Sequence, residues 1–416
     1  MTVAVLGAGV VGVATAYYLA KAGEAVTVID RQPRAAAETS FANAGLIAPG
    51  HAYAWASPRA PMILVKSFWR NDTALRYRLR LDPAMWAWSL KFLANCTAAA
   101  NRRNTLVKLE LCKYSREQLI AIREAEGFHY DEVVKGSIYL YRDPQHFETG
   151  KQTTKLITDH GYPMEAIDMD RVVAIEPALA RSRDRFAGAI YVPKDESGDC
   201  RLFTERLAEV CTKLGVTFRY DTAVEGFEAM GDRVTAVRTD KGSVAADRFV
   251  LALGSYSPFP AKTIGLKLPI FPVKGYSLTL PVKNPSAAPT VGLIDEGYLV
   301  AFSRMGDKLR LTATADFAGY DTSYSPREFE TMLKVAHELF PEGVDYGRPS
   351  HWACLRPMTP DGPPIMGKTR YENLFMNTGH GHIGWTMACG SARMVADLML
   401  GRKPALAFDG LTLDRY

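Results

Sequence analysis

The stretch TVAVLGAGVVGVATAYYLAKAGEAVTVID, Thr2–Asp30, decides the fold. Residues 2–6 are apolar and β-branched, which predicts a short buried strand. GAGVVG, Gly7 to Gly12, follows, and then VATAYYLAKAG with helical periodicity. AVTVID predicts a second strand that ends on Asp30. A lone GxGxxG carries little weight. Here strand, glycine turn, helix, strand and terminal acid come in order, and Asp30 lies eighteen residues beyond Gly12, the pattern of a dinucleotide-binding βαβ unit. Gly7 permits the tight turn. Gly9 lets the backbone approach a pyrophosphate at the helix N-terminus, and Gly12 lets helix and strand pack closely. Asp30 suits a ribose 2′-hydroxyl and repels a 2′-phosphate.

Working outward, the chain has 416 residues, enough for two domains. Apolar residues make up 47% and charged residues 23%, an ordinary globular balance. A net charge of +5 is too small for a nucleic-acid partner. Six cysteines are scattered without CxxC pairing, which argues against a disulfide framework or a zinc site and fits a reducing compartment. No metal site is expected. The N-terminal apolar run lacks a basic flank and is explained by the nucleotide signature. No apolar run is long enough for a transmembrane segment. A cytoplasmic protein is expected, with peripheral attachment to the inner membrane as the alternative.

After the second strand comes ETSFANAGLIAPG, Glu38–Gly50. With this segment the chain resembles the D-amino acid oxidase-like family of FAD-dependent oxidoreductases, and within it the small subunits of the bacterial D-amino acid dehydrogenases. The resemblance runs from about Thr2 to the C-terminus. It implies FAD as cofactor, with Gly7, Gly9, Val10, Val11, Gly12, Asp30 and Arg31 at the dinucleotide site. It also implies that Ser40, Asn43, Ala44, Gly45 and Leu46 neighbour the flavin, with Val224 near the adenine and Gly254 ending a strand beneath the site. The fold implied is α/β: a Rossmann-like FAD-binding domain of the D-amino acid oxidase type, interleaved with a substrate domain of antiparallel β-sheet and helices. The expected division is 1–60, 150–256 and 350–416 for the cofactor domain, and 61–149 and 257–349 for the substrate domain.

NLFMNTGHGHIGWTMACGSARMVADLML, 373–400, predicts strand, glycine turn and helix. Such a helix N-terminus aims N–H donors at an anion. By resemblance that anion is the reduced flavin, with Gly381, His382, Ile383, Gly384, Trp385 and Thr386 beside it. His382 departs from the small polar residue more usual there. Residues 62–96 interleave Trp69, Trp86 and Trp88 with Lys66, Arg70, Arg76, Arg78, Arg80 and Lys91. They predict either a helix pair covering the substrate domain with a solvated charged face, or a peripheral contact with an anionic membrane surface. A long amphipathic helix is expected over 103–126 and a hairpin through Asp240-Lys241-Gly242.

In HWACLRPMTPDG, His351–Gly362, one arginine stands in an apolar run. A guanidinium offers two parallel donors to a carboxylate and stays charged when desolvated. By resemblance Arg356 grips the substrate α-carboxylate and so fixes Cα–H against flavin N5. The alternative is a structural pair with Asp361 or a backbone carbonyl. Cys354 corresponds to the position that carries covalent flavin in the related monomeric sarcosine oxidases, or else is a buried inert thiol. Tyr53, Tyr276 and Tyr298 are candidates to touch the substrate, or are packed aromatics. The activity implied is oxidative deamination of D-amino acids to 2-oxo acids and ammonia, with electrons passed to a quinone or another acceptor. The alternatives are a dehydrogenase of cyclic secondary amino acids such as D-proline or cis-4-hydroxy-D-proline, and an oxidase that uses O2.

Overall fold

The structure, a computed structural model, describes residues 1–67, 75–77 and 81–416, with the backbone alone for residues 66 and 67. Thr2–Leu6 and Ala25–Ile29 are parallel neighbours, joined by the helix Val10–Lys21. They sit inside a six-stranded sheet. Its order is Ile365–Lys368, Leu374–Thr378, Arg248–Leu251, Thr2–Leu6, Ala25–Ile29 and Thr217–Arg219. All its pairings are parallel except at the Ile365–Lys368 edge. Four of these strands are sequence-distant returns to the first βαβ unit. The inner strands are apolar: Val3, Val5, Phe249, Val250 and Leu374 are essentially inaccessible, as strands covered on both faces require, while the edge strand Thr217–Arg219 stays largely exposed. Gly12 closes the unit, because a Cβ there would overlap the Gly7 carbonyl.

The large sheet has nine strands, and its backbone is Ser350–Met358, Phe271–Pro281, Lys308–Phe317, Val300–Met305 and Gly292–Asp295 in antiparallel order. It is not wholly antiparallel as expected: Gly292–Asp295 runs parallel to Ser137–Tyr141, and Lys308–Phe317 parallel to Leu75–Tyr77. The strands Glu165–Ile167, Gly188–Val192 and Ser350–Met358 also belong to this sheet, although 150–256 and 350–416 were expected with the cofactor unit. Strand pairing, not position in sequence, draws that line. The helix expected over 103–126 spans Ala98–Glu126. Thr97 caps its first turn, and Gly127 ends it in the left-handed region at φ 65°. The hairpin forms as expected, with Thr239 opposite Gly242.

Residues 62–96 do form two helices, Ala60–Ser67 and Pro83–Ala94. Trp69, Arg70, Arg78 and Arg80 lie outside the described residues, as does the side chain of Lys66. Asp82 caps the second helix through the amides of Ala84 and Met85. Met85, Trp88 and Phe92 pack on Phe271, Val273 and Phe317 of the large sheet, and the Trp88 indole donates to the Met358 carbonyl at 2.8 Å. The opposite stripe, Trp86, Leu90 and Leu93, is exposed.

Candidate active site

A cavity of about 750 Å3 lies between the two large sheets, within the range of a cofactor and substrate site. The N-termini of two helices open onto it. At Val10–Lys21 the N-cap is Gly9, which has no side chain to cap the helix. Ser40 Oγ accepts from the Val10 amide at 3.0 Å, but the amides of Val11 and Gly12 take no partner among the described residues. At Gly384–Met399 the N-cap is Ile383, again with no side-chain cap. A helix this long ends in unpaired N–H groups and partial positive charge, and both ends face one cavity.

The sequence candidates sort into three groups. Gly7, Gly9, Val10, Val11, Asp30, Arg31, Ser40, Asn43, Ala44, Gly45, Leu46, Val224, Gly254, Cys354, Arg356, Gly381, His382, Ile383, Gly384, Trp385 and Tyr276 all line the cavity. Gly12 and Thr386 stand behind its wall. Gly12 serves helix packing, and the Thr386 hydroxyl accepts from the Ala48 amide at 3.1 Å, holding the loop of the Leu46–Ile47 strand. Tyr53 and Tyr298 are not among the lining residues. The Tyr53 hydroxyl donates to the Thr153 carbonyl at 3.4 Å. The Tyr298 ring lies under the Arg142 guanidinium at 4.7 Å. Tyr53 ends on a backbone carbonyl and Tyr298 stacks under a cation, so both serve packing outside the cavity.

Asp30 accepts from the amides of Ala8 at 2.6 Å and Gln32 at 2.8 Å. Burial nevertheless pushes its carboxyl above the ordinary range, against those two amides. Arg31 stacks on Tyr256 at 3.8 Å and pairs with Glu38. Thr222 donates its amide to the Asp30 carbonyl at 2.9 Å, which brings Val224 to this end of the cavity.

At the other wall, Cys354 and Arg356 sit two apart on Ser350–Met358, so they share a face of the strand. The Arg356 Nη1 donates to the Thr314 carbonyl at 2.8 Å and to the Lys274 carbonyl at a long 3.5 Å. Its Nε and Nη2 take no partner among the described residues. Asp361 is not its counter-ion: that carboxylate takes Arg415 at 2.7 Å and the Tyr416 hydroxyl. Burial lowers the Arg356 pKa, opposed by Cys354, yet a guanidinium stays charged. Burial raises the Cys354 thiol, with Arg356 and Arg310 pulling it back.

Three features of this wall escaped the sequence. Gly275 lies opposite Cys354, and a Cβ there would overlap the Arg356 guanidinium. A glycine inside the strand run FPVKGYSLTL was the available signal, since such glycines mark close approach. Thr314 adopts φ 63°, rare for a β-branched residue, beside a register shift between Lys274 and Tyr276. Its carbonyl meets Arg356; nothing in the sequence announces this. His51 and Trp55 line the cavity as well, and the His382 ring stacks on Trp55 at 4.8 Å. Tyr276, by contrast, spends its hydroxyl on Asp316 at 2.8 Å.

Nucleotide turn, paired helix ends and an arginine on a facing sheet define a flavoenzyme architecture. The sequence model of the FAD dependent oxidoreductase family matches residues 2–398, and the chain belongs to that family. It is 47% identical over 412 residues to D-amino acid dehydrogenase 2 of Mesorhizobium japonicum, covering 99% of each chain. It is 48% identical over 417 residues to D-amino acid dehydrogenase of Methylobacterium radiotolerans, covering 100% of each. Among solved structures it resembles glycine oxidase from Geobacillus kaustophilus, with a TM-score of 0.76 at 21% identity over 100% of this chain and 98% of the other. L-proline dehydrogenase from P. horikoshii gives 0.72 at 20% identity over 97% and 94%. The residues fit FAD: two uncapped helix ends converge on the cavity, and glycine at 7, 9 and 12 keeps side chains out of the first turn. Among the described residues no group of acids, histidines and cysteines is arranged to hold a metal ion.

Proposed function

We propose that the protein oxidises D-amino acids to imino acids, which water converts to 2-oxo acids and ammonia. The observation that carries this is Arg356, a cation on the cavity wall with two donor groups free of partners, and no carboxylate paired to it, among the described residues. FAD, bound along Gly7–Gly12, Asp30–Arg31, Ser40–Leu46 and Gly381–Trp385, would supply the two-electron acceptor. The chain's own residues do the rest. Arg356 holds the α-carboxylate through a two-point contact, which leaves rotation about one bond to set Cα–H. Gly275 and the Thr314 carbonyl hold the guanidinium. The helix end at Gly384 stabilises negative charge that develops near it. Among residues lining the cavity with Arg356, His51 and His382 are held neutral by burial, so a cationic acid does not crowd the amine.

The Cys354 thiol, raised by burial, favours FAD held by contacts rather than by a thioether. Yellow colour retained in an acid-precipitated pellet would instead reveal the covalent link. The electron acceptor proposed is a membrane quinone. Met62, Ile63 and Val65 on the first helix and Trp86, Leu90 and Leu93 on the second expose an apolar surface, with Lys91 on the second, which suits a peripheral docking face. No helix among the described residues is long and apolar enough to cross a membrane.

The deciding experiment is an anaerobic screen of flavin bleaching over D-amino acids, D-proline and cis-4-hydroxy-D-proline. Fast bleaching by acyclic D-amino acids supports the reading. Bleaching by the cyclic pair alone replaces it with a secondary-amine dehydrogenase. Peroxide formed in air without an added acceptor makes the protein an oxidase.

A further inference from the structure

His51, Trp55 and His382 form a small aromatic cluster in the cavity that Arg356 also lines. The His382 ring lies on Trp55 at 4.8 Å and 28°, and the His51 ring stands nearly perpendicular to His382 at 6.3 Å. The two histidines differ from their neighbour His380, whose Nε2 is matched by Ser391 Oγ at 2.9 Å. The His51 ring nitrogens have no hydrogen-bond partner among the described residues. The His382 ring is influenced by the His51 backbone, which leaves at least one of its nitrogens without a partner among the described residues. Both side chains are half-buried and open on the cavity. Ring nitrogens that face a ligand cavity without a protein partner are where a ligand's own polar group belongs.

The charge around the cluster narrows the ligand group. The charged groups acting on His382 are the cations Lys108 and Arg356, with no carboxylate among its principal influences. Lys108, on the helix Ala98–Glu126, is buried and donates to the Tyr53 carbonyl at 3.0 Å. Asp195, the acid bound to the Gly50 amide at 3.3 Å, is already engaged by the Tyr139 and Tyr162 hydroxyls, so Lys108 and Arg356 are left to disfavour a cationic side chain. A neutral imidazole offers one donor and one acceptor, and the Trp55 face limits the space. We propose that His51, Trp55 and His382 form the substrate side-chain subsite and favour D-amino acids whose side chain carries an uncharged hydrogen-bonding group, a hydroxyl or an amide. This rests on Arg356 anchoring the α-carboxylate, and it goes further by assigning the substrate class.

The test compares isosteric substrate pairs on flavin-loaded enzyme: D-threonine with D-valine, D-asparagine with D-leucine, and cis-4-hydroxy-D-proline with D-proline, with D-lysine added. The kcat/KM ratio within a pair reads the side-chain contact and cancels the contribution of the carboxylate. In the wild type the polar member of each pair that turns over is preferred by about tenfold or more, because a site built to bond a hydroxyl discriminates against its absence. D-lysine is the poorest substrate. His51→Phe and His382→Phe bring the ratios to about one, and His51→Gln, which keeps donor and acceptor, retains the preference. Flavin absorbance establishes that each variant holds its cofactor, and the two histidines are tested separately so that loss of one variant leaves the other. Ratios at or below one in the wild type, or ratios unmoved in the phenylalanine variants, overturn the proposal. Arg356→Leu, which lowers both members of each pair alike, separates the two readings: the ratios survive if only the anchor is lost. If no D-amino acid or D-proline bleaches the flavin, both readings fall.

Discussion

Arg356 is held by its surroundings rather than by an opposite charge. Two carbonyls take Nη1, and a glycine at 275 leaves the space the guanidinium fills. Arg356→Leu removes a charge-assisted contact in a desolvated site, worth about 2–5 kcal/mol. Steady-state kinetics on the flavin-loaded variant are expected to show kcat/KM reduced on the order of 10^2–10^3-fold, mostly through KM. Gly275→Ala is expected to act on the same atom indirectly. Its methyl group meets the guanidinium, so the enzyme folds with a loss of about 1–3 kcal/mol from overpacking, and urea unfolding measures that. Its KM rises while bound FAD remains. An unchanged KM would mean that the guanidinium moves aside without consequence. At this scale the sequence spoke clearly about Arg356 and not about its supports. A charge in an apolar run is visible in one dimension; the strand register that puts Gly275 across from Cys354 is not. Tyr53 and Tyr298 show the converse. Both lie near the right segments, but their hydroxyl and ring found other partners.

Among the elements, the helix Pro83–Ala94 is apolar on two stripes. Met85, Trp88 and Phe92 recur at three and four residues and are buried; Trp86, Leu90 and Leu93 recur at the same spacing and are exposed. A surface helix in water needs only the first stripe. The second is expected to bind a bilayer. Co-sedimentation with vesicles containing anionic lipid is predicted for the wild type and lost in Trp86→Glu/Leu90→Glu, with soluble flavin reduction by substrate retained. Equal sedimentation of the two proteins would leave the exposed stripe without a membrane role. The two helices that open onto the cavity were legible from their glycines, GAGVVG and GHGHIG, because a missing side chain next to a strand end is a local signal. Their convergence on one cavity was not local, since the six-stranded sheet joins strands from residues 2–6 and 374–378.

The whole molecule balances buried groups that titrate in opposite directions. Burial lowers His51 to about 4 and His380 to about 3. The unfolded chain binds those protons more readily, so their contribution makes stability rise with pH up to the ordinary histidine value. Asp195, buried between Tyr139 at 2.6 Å and Tyr162 at 2.9 Å, is pushed up to about 7. Here the folded state binds the proton more tightly, so this contribution is full below the ordinary aspartate value and declines as pH rises toward 7. The two trends overlap in the wild type, and the difference between proteins isolates one. Asp195→Asn is expected to gain melting temperature relative to wild type as pH goes from 5 to 8; a constant difference across that range would contradict the raised value. The composition, the first βαβ unit, the C-terminal glycine turn and the arginine were set by sequence alone, because each depends on neighbours in the chain or on the chemistry of one side chain. The partition of strands between the two sheets, the support of Arg356 and the meeting of His51, Trp55 and His382 were decided only by tertiary structure. Each of these depends on pairings between segments tens to hundreds of residues apart, where hydrogen-bond register and packing, and not local pattern, choose the neighbour.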